Sequence, residues 1–452
     1  MRRRIAALLL LCTMTAALTG CGRSFSDVQE AVTERIEEIL SDSELSEPNA
    51  ASDAEQEAVS GDRDEGGTES RDAVVQEEQA ESAAGDAVSE ENTAEKQATD
   101  LFGFPVERTG DLSGFIYDQL TEDVQEVYGQ LYTGIADRRA VFPIRARDTE
   151  HIRQALTAVM TDHPEFFWLT GSAGMNGFES LGIWQISLDF NIPEDAIDDA
   201  AAKINAAAEE YLASLPEGAS EYEKVKAAYE YIIFHTDYSL DSEQNQNIQS
   251  VFINHMSVCA GYARAFKYLL DKAGVWCGYV EGHITDTGEG HAWNLVRIDG
   301  TYTYVDPSWG DPTYGEDATD AKQLDIIYDY LCMTSFEIRQ LRHEPEEGIE
   351  LPDCTDRSHD YYILNGLYYE GWNAGAVSDA IWHSVDEGER GVFLKFSDFE
   401  SYAQAMAALF PEEGEDGLLK EPLQQRMEWD SAESMRYYYS YSDELWIIKI
   451  YW

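Results

Sequence analysis

Hydrophobic residues recur at three- and four-residue steps along several stretches of the chain. Between Phe115 and Ile135 this spacing is typical of an amphipathic helix with one buried face. From Trp184 to Phe190, apolar residues instead alternate with polar ones, which predicts a half-buried strand. The same criteria predict further helices over residues 150–161, 193–215, 220–235 and 259–273, with Pro193 at a first helical position.

Cys259 stands at the start of one of these helical runs. The run ends at Gly274, which suits the left-handed residue that often follows a helix. In the first turn of a helix, unpaired backbone amides and the positive end of the helix dipole favour a thiolate over a thiol. A thiolate in that position is a nucleophile. On its own, however, Cys259 is better explained as a small buried core residue.

Two β-rich runs downstream supply partners for this cysteine. They flank Asp299-Gly300, a dipeptide that favours a two-residue hairpin turn. Pairing the runs about this turn places His291 opposite Ser308, and Asp306 diagonal to His291 on the same face. Diagonal neighbours lie close enough for an aspartate to orient an imidazole. Cys259, His291 and Asp306 therefore make a geometrically workable triad of nucleophile, base and orienting carboxylate.

Three segments contain these residues: VCAGYARAF at 258–266, GHAWN at 290–294 and VDPSW at 305–309. They resemble the motifs of the bacterial transglutaminase-like superfamily, relatives of the papain-like cysteine proteases. The resemblance covers about residues 220–312. It implies a cysteine-bearing helix packed on an antiparallel sheet that bears the histidine and the aspartate.

The same resemblance implies that Cys259 is the nucleophile, His291 the general base and acid, and Asp306 the residue that orients the imidazole. The thiolate attacks an amide carbonyl to give a thioacyl intermediate, which water or an amine then releases. The expected substrate is a protein or peptide, with cell-wall peptide as one candidate. The sequence leaves open whether water or an amine is the acceptor.

Weaker candidates surround these residues. Gln249 is a candidate second oxyanion donor beside the backbone N–H of Cys259, although a solvated loop glutamine explains it at least as well. His283, on an apparent loop, is an alternative base, but the HAWN context favours His291. Three aromatic residues either line the cleft or belong to the core: Tyr262, Trp293 and Trp309.

Neither a metal ion nor a cofactor is expected. His255 and Cys259 are four residues apart, which is a metal-like spacing. A zinc site needs further ligands of the same kind, and no second pair of residues completes one.

The first 21 residues combine three arginines, a short apolar run and a small-residue ending, which is typical of a secretory signal rather than a membrane-spanning helix. The ending, Leu18-Thr19-Gly20-Cys21, resembles the lipobox of bacterial lipoproteins. That resemblance implies lipidation of Cys21, a membrane anchor and an extracytoplasmic location on a bacterial cell. An ordinary cleaved signal is the alternative.

Residues 22–100 are acidic and poor in core-forming side chains. They contain 24 Asp and Glu against five Arg and Lys, no Trp or Tyr, and Phe25 as their one phenylalanine. Such a stretch buries too little apolar surface to offset the entropy of folding, so it is predicted to be a disordered tether. The whole chain has a formal charge of −56. This argues against nucleic acid as a partner, because phosphate binding needs clustered Lys and Arg.

The predicted fold class is α+β, with a transglutaminase-like, papain-like core, an N-terminal helical extension and a small C-terminal α+β unit. The predicted divisions are a signal peptide at 1–21, a tether at 22–100, an N-terminal α+β extension at 101–215, the transglutaminase-like domain at 216–345 and a C-terminal α+β region at 346–452.

The C-terminal region is rich in aromatic residues and its role is open. Its pattern predicts a hairpin about Asn365-Gly366, a strand at 391–396, a helix at 399–409 and a last strand at 444–452. Cys332 and Cys354 are candidates for a disulfide, which sequence spacing cannot establish.

Functions of different classes fit this sequence. The first is an exported thiol enzyme that acts on amide bonds as a protease, amidase or transamidase. The second is a surface binding module that keeps the fold without turnover, and the third is a cell-envelope scaffold. Reaction with a thiol-directed probe separates the first from the other two.

Overall fold

The computed structural model of the protein describes residues 112–312, 326–411, 417–429 and 437–452. All of these residues lie within one unit, Glu91–Trp452. The predicted signal peptide, the predicted lipidation site Cys21 and the predicted acidic tether fall outside the described residues. Within the described ranges, no helix has both the length and the apolar character that a membrane span requires.

The N-terminal part combines helices with a three-stranded antiparallel sheet. Its elements are α1 (Glu122–Ala136), β1 (Val141–Arg145), α2 (Thr149–Asp162), β2 (Leu169–Phe178), β3 (Ile183–Phe190) and α3 (Ile197–Ser214). The strands pair in the order β1-β3-β2. Every second residue from Trp184 to Leu188 is buried, which confirms the predicted alternation. The predicted helix start at Pro193 is wrong, because Pro193 is extended (ψ 143°) and precedes a 3₁₀ turn, Glu194–Ala196, ahead of α3.

The central part places one helix against a four-stranded antiparallel sheet. Its elements are α4 (Glu221–His235), β4 (Asp237–Tyr238), α5 (Ile248–Phe252), β5 (Met256–Ser257), α6 (Cys259–Ala273), β6 (Cys277–Ile284), β7 (Glu289–Ile298), β8 (Thr301–Val305), α7 (Ser335–Gln340) and β9 (His343–Pro345). The sheet has the order β8-β7-β6-β9. Asn294 of β7 donates to the Ala263 carbonyl of α6 at 2.9 Å, which ties the helix to the sheet. This is the predicted packing of the cysteine-bearing helix.

The turn between β7 and β8 follows from its two residues. Asp299 and Gly300 have φ values of 51° and 86°, and a two-residue hairpin turn of type I′ needs positive φ at both positions. The predicted register of the two strands is confirmed. The ladder ends before His291, however, which pairs with Gly282 of β6 rather than with Ser308.

His283 does not lie on the predicted loop. It belongs to β6, next to the Gly282 that pairs with His291. Because successive residues of a strand face opposite sides of the sheet, His283 faces away from His291. It is therefore not a competitor for the base position.

The C-terminal part builds a second four-stranded sheet. Its elements are α8 (Tyr361–Leu364), β10 (Tyr368–Tyr369), α9 (Ala374–Asp386), β11 (Gly391–Phe396), α10 (Phe399–Leu409), α11 (Lys420–Trp429), β12 (Tyr438–Ser442) and β13 (Ile447–Tyr451), and the sheet order is β10-β11-β13-β12. The predicted strand at 391–396 and helix at 399–409 are confirmed, and the last strand is β13. The predicted hairpin about Asn365-Gly366 is wrong, since α8 precedes this dipeptide and β10 pairs in parallel with β11.

The central and C-terminal sheets share one hydrophobic core. Trp293 of β7 and Tyr304 of β8 pack in the same buried cluster as Leu445 and Ile447, near the end of the chain. Burial of large apolar side chains is the main source of stability in such a core. Residues on both sides of the predicted boundary at 345 therefore stabilise each other.

A buried ion cluster joins the same two parts. Lys395 Nζ of β11 lies 2.6 Å from both Glu337 Oε1 of α7 and Asp360 Oδ2, the residue that caps α8. All three residues are buried. Buried charges are stable only when paired, so each of these residues depends on the others.

Candidate active site

Cys259 is the first residue of α6 and follows Val258, whose extended backbone (ψ 176°) ends the preceding segment. Its side chain is half-buried, whereas Cys277, Cys332 and Cys354 are buried, and all four are free. The candidate disulfide between Cys332 and Cys354 is therefore not formed. Burial raises the pKa of Cys354 to about 11 and the pKa values of Cys277 and Cys332 further still. Cys259 is thus the accessible thiol among these four.

His291 and Asp306 meet as the hairpin register predicts. The Nε2 atom of His291 lies 2.6 Å from Oδ2 of Asp306. The two residues are 6% and 0% exposed, so the contact is shielded from solvent. Because Nε2 is occupied by the carboxylate, Nδ1 is the ring nitrogen that remains for a second partner.

The Cys259 side chain lies close enough to His291 to be one of the groups that raise the pKa of its imidazole. Burial alone lowers the pKa of His291, but the Asp306 carboxylate and the Cys259 side chain together raise it to about 10. At neutral pH the imidazole therefore carries a proton. A protonated imidazole beside a sulfur at a helix start is the arrangement that activates a cysteine nucleophile.

Asp306 is held by its own turn. Its Oδ1 atom accepts from the Ser308 N–H at 3.1 Å, the Ser308 hydroxyl at 2.8 Å and the Trp309 N–H at 3.1 Å. Burial acts to raise the pKa of Asp306, but His291 and, to a smaller extent, His343 hold it well below its usual range. The carboxylate is thus ionised and fixed in plane, with Oδ2 left for the imidazole.

The aromatic residues proposed for the cleft take different positions. Tyr262 is fully buried and donates to Asp311 Oδ2 at 2.5 Å, and Trp293 is 1% exposed, so both belong to the core. Trp309 is half-buried, with its ring centroid 5.4 Å from that of His291. Of the three, Trp309 is therefore the one that is partly exposed, and its cleft-lining role stays a prediction.

Gln249 is not placed to stabilise an oxyanion. It lies in α5 and is 7% exposed. Its side-chain amide nitrogen lies 3.3 Å from both the Phe167 carbonyl and Asn191 Oδ1, and an amide group has two N–H donors. Both donors are therefore used in joining α5 to the N-terminal part, which argues against the predicted oxyanion role.

His343 is a member of the site that the sequence did not reveal. It lies on β9, and its Nε2 atom is 3.2 Å from the same Asp306 Oδ2 that binds His291. Gly282 makes this possible, because a Cβ there would lie 2.1 Å from the Glu344 carbonyl oxygen and keep β9 away. His343 follows Asp306 by 37 residues, and no local pattern in the sequence links the two.

His291, Asp306 and His343 also offer one potential metal-ligand atom each, all within 4.8 Å of one another. The nitrogen–oxygen distances of 2.6 and 3.2 Å are those of hydrogen bonds. Two ligands about 2.0–2.1 Å from a tetrahedral zinc ion lie about 3.3 Å apart. The 2.6 Å contact is too short for two ligands of one such ion, whereas the 3.2 Å contact is not, and the expectation of no metal stays a prediction.

The geometry of this site agrees with a comparison of the sequence with protein families. Residues 210–307 match the model of the transglutaminase-like superfamily. This part of the chain is therefore similar to the transglutaminase-like superfamily. The matched residues include Cys259, His291 and Asp306, and the mixed helices and antiparallel sheet of the central part confirm the predicted α+β class.

Curated relatives share a limited part of the chain. Kyphoscoliosis peptidase of Mus musculus is 32% identical over 111 residues, which cover 21% of this chain and 17% of that protein. The Homo sapiens protein of the same name is 31% identical over 111 residues, with the same coverage. Cytokinesis protein 3 of Schizosaccharomyces pombe is 23% identical over 160 residues, covering 33% of this chain and 18% of that protein. The chain thus spans less than a fifth of the length of each.

Solved structures give distant matches. A crystal structure described as a TGase is 18% identical, covers 41% of this chain and 56% of that chain, and has a TM-score of 0.24. A candidate cysteine protease from Cytophaga hutchinsonii is 13% identical, covers 31% of this chain and 63% of that chain, and has a TM-score of 0.21.

Proposed function

We propose that this protein is an exported, lipid-anchored thiol enzyme that cleaves or transfers acyl groups at amide bonds of a protein or peptide. The observation that carries the proposal is the 2.6 Å contact between the His291 imidazole and the Asp306 carboxylate, with the half-buried Cys259 near that imidazole at the start of α6. The match to the transglutaminase-like superfamily over residues 210–307 supports the same chemistry.

In the first step the Cys259 thiolate attacks an amide carbonyl carbon. The carbon–sulfur bond forms and the carbonyl electron pair moves to oxygen. His291 then donates its proton to the leaving nitrogen as the carbon–nitrogen bond breaks, which leaves a thioester on Cys259. Asp306 stabilises the imidazolium throughout and keeps its ring oriented.

In the second step an acceptor releases the acyl group. His291, now neutral, removes a proton from water or from an amine as that molecule attacks the thioester. Water gives an acid, and an amine gives a new amide. Both routes return Cys259 as a thiolate and His291 as an imidazolium.

The negative charge that develops on the carbonyl oxygen of the substrate needs hydrogen-bond donors near the sulfur of Cys259. Cys259 is the first residue of α6, and the first four N–H groups of an α-helix have no acceptor within the helix. The backbone N–H of Cys259 is therefore the natural oxyanion donor.

The test is the relative reactivity of the thiols. Limited iodoacetamide labelling of the folded chain, read by mass spectrometry, should modify Cys259 first, with Cys259→Ala as the control. Faster reaction at Cys277, Cys332 or Cys354 contradicts the assignment. A Cys259 that reacts no faster than a cysteine in an unstructured peptide favours a binding module that keeps the fold without turnover.

A peptide library offered with a fluorescent primary amine distinguishes the acceptors. Amine adducts on the peptides indicate transfer, whereas cleaved or deamidated peptides indicate hydrolysis. Cys259→Ala should abolish both products. Cell-wall peptides belong in the library, because an exported, anchored enzyme meets them first.

Lipid anchoring is part of the proposal and rests on residues 1–21. We expect the mature chain to begin at an acylated Cys21 in a bacterial host. Mass spectrometry of the N-terminal peptide, with labelled palmitate, measures this directly. Cys21→Ser should remove the lipid, whereas Cys12→Ser, within the apolar run, should not.

A further inference from the structure

His343 is a buried polar ring that the three-residue mechanism does not use. Its side chain is 0% exposed. Its Nε2 atom lies 3.2 Å from Asp306 Oδ2, and its Nδ1 atom lies 3.2 Å from the Leu341 carbonyl oxygen. The ring meets Trp293 and Trp309 edge to face, at centroid distances of 4.9 and 4.6 Å. A polar ring in such surroundings is retained only where its hydrogen bonds offset the loss of water.

The proton on His343 has one favourable position. Both ring nitrogens face oxygen acceptors, but a neutral imidazole carries a single N–H. Burial lowers the pKa of His343 despite the opposing effect of Asp306, so the ring is neutral at neutral pH. A carboxylate accepts more strongly than a peptide carbonyl. The N–H therefore lies on Nε2 and is donated to Asp306.

This hydrogen bond is made to Oδ2 of Asp306, which also accepts the hydrogen bond from His291. Oδ1 of Asp306 is held by Ser308 and Trp309, whereas Oδ2 is shared by His291 and His343. His343 also lines a cavity of about 510 Å³, together with Trp293. Its ring contacts the carboxylate and borders this cavity, so it excludes cavity water from Oδ2.

We propose that His343 is a positioning residue of the thiol site, which donates its Nε2–H to Asp306 and thereby fixes Oδ2 against His291. The inference rests on the proposed function and extends the triad to four residues. His343 acts through Asp306, by holding the carboxylate in the orientation that keeps His291 protonated beside Cys259.

The test compares two substitutions of similar size. His343→Phe fills the space but has no donor, whereas His343→Gln retains an N–H group in reach of Oδ2. The rate of iodoacetamide labelling of Cys259 in the full chain is the readout. We expect His343→Phe to slow labelling about tenfold, by analogy with the hydrogen-bond partners of metal-bound imidazoles, and His343→Gln to restore most of the rate. His163→Phe, another histidine packed among aromatic rings, should label at the wild-type rate.

The same variants are then made in an Asp306→Asn background. If His343 acts through Asp306, neither substitution should change the labelling rate there by more than about twofold, because residues that act as one unit are not additive. A tenfold loss in both backgrounds, failure of glutamine to restore the rate, or a wild-type rate for His343→Phe overturns the proposal.

A measurement on the unaltered protein covers the case in which His343→Phe does not fold. Nitrogen-15 NMR of labelled histidine side chains reports which ring nitrogen of His343 carries the proton. We expect a neutral ring protonated on Nε2 at pH 7. Protonation on Nδ1 overturns the proposal. This result does not depend on Cys259 reactivity, so failure of the proposed function and failure of the His343 assignment are separable.

Discussion

The carboxylate of Asp306 receives three donors on Oδ1 and two on Oδ2, all from buried or half-buried residues. One carboxylate thus joins the turn after β8, the histidine of β7 and the histidine of β9. A hydrogen bond to an ionised carboxylate is roughly twice as strong as a hydrogen bond between neutral groups. Asp306 therefore holds both imidazoles and its own turn in one arrangement.

We expect Asp306→Asn to leave the fold intact and to reduce turnover of any substrate found by about 10²-fold, the ordinary contribution of a positioned acid–base group. The amide cannot stabilise an imidazolium as the carboxylate does. The measurement is the rate of iodoacetamide labelling of Cys259 as a function of pH. Circular dichroism is the folding control, and Cys259→Ala is the variant that cannot be labelled at this position. Labelling at the wild-type rate across the pH range would remove Asp306 from the triad.

The raised pKa of His291, about 10, also predicts how stability depends on pH. Free imidazole has a pKa of about 6.5, so the folded state holds this proton more tightly than the unfolded state does. The stability supplied by protonated His291 is complete below about pH 6.5 and is lost as pH rises towards 10.

Thermal melts between pH 6 and pH 10 measure this dependence. The wild-type melting temperature should fall over that range more steeply than that of His291→Gln, which lacks the titrating group. Parallel curves for the two proteins would show that His291 does not bind its proton more tightly in the folded state.

At the scale of secondary-structure elements, Lys395 of β11 connects α7 and α8 through Glu337 and Asp360. Burial acts to raise the pKa of Glu337, but Lys395 lowers it to about 2, so the pair is ionised at neutral pH. We expect Lys395→Met to destabilise the protein by about 3–5 kcal/mol, because it leaves two buried carboxylates without their cation.

Chemical denaturation measures that loss. Arg153→Met is the matched control, since it removes a basic residue from an exposed ion pair with Glu150, and such pairs contribute little. Combined replacement of Lys395, Glu337 and Asp360 by apolar residues should recover much of the stability. Equal effects of Lys395→Met and Arg153→Met would contradict the role given to the buried cluster.

The sequence predicted the elements whose signals are local. Asp299-Gly300 set the turn between β7 and β8, and with it the position of Asp306 beside His291. The same reasoning failed at Asn365-Gly366, because Asp360 caps a short helix there and Gly366 (φ 70°) follows its end. An asparagine–glycine pair suits a helix end as well as a hairpin.

The contacts that the sequence could not predict are those between distant segments. The bond between His343 and Asp306 depends on β9 pairing with the far edge of β6, beyond residues 313–325, which lie outside the described structure. Gln249 was assigned to the oxyanion because it lies near Cys259 in the chain. In the fold its side-chain amide donates to Phe167 and Asn191, and no pattern along the sequence predicts these partners.

At the scale of the whole molecule, acidic residues and core-forming side chains are distributed unequally along the chain. Residues 22–100 carry −19 of the formal −56 and have neither Trp nor Tyr. We expect a chain that begins at Leu101 to keep the melting temperature of the full mature chain, because few core-forming side chains are removed. Differential scanning calorimetry of both proteins is the measurement. A drop of more than a few degrees would show that the acidic stretch packs on the folded part.

Removal of the other end should have the opposite result. A chain that ends at Pro345 retains the whole of the superfamily match, residues 210–307, but loses Leu445 and Ile447 from the core that contains Trp293. It also loses Lys395 and Lys449, the latter 2.5 Å from Asp329. Buried carboxylates on Glu337 and Asp329 would then have no cation, while the apolar face behind His291 would be exposed to water.

We therefore expect the chain ending at Pro345 to lack a cooperative thermal transition and a reactive Cys259, although it contains all three residues of the triad. Circular dichroism melts and iodoacetamide labelling measure the two properties, with the chain that begins at Leu101 as the matched truncation. Loss of buried apolar area and unpaired buried charge act in the same direction here. A cooperative melt near the full-length temperature would show instead that residues 346–452 are a separate domain, and that the transglutaminase-like domain is stable without them.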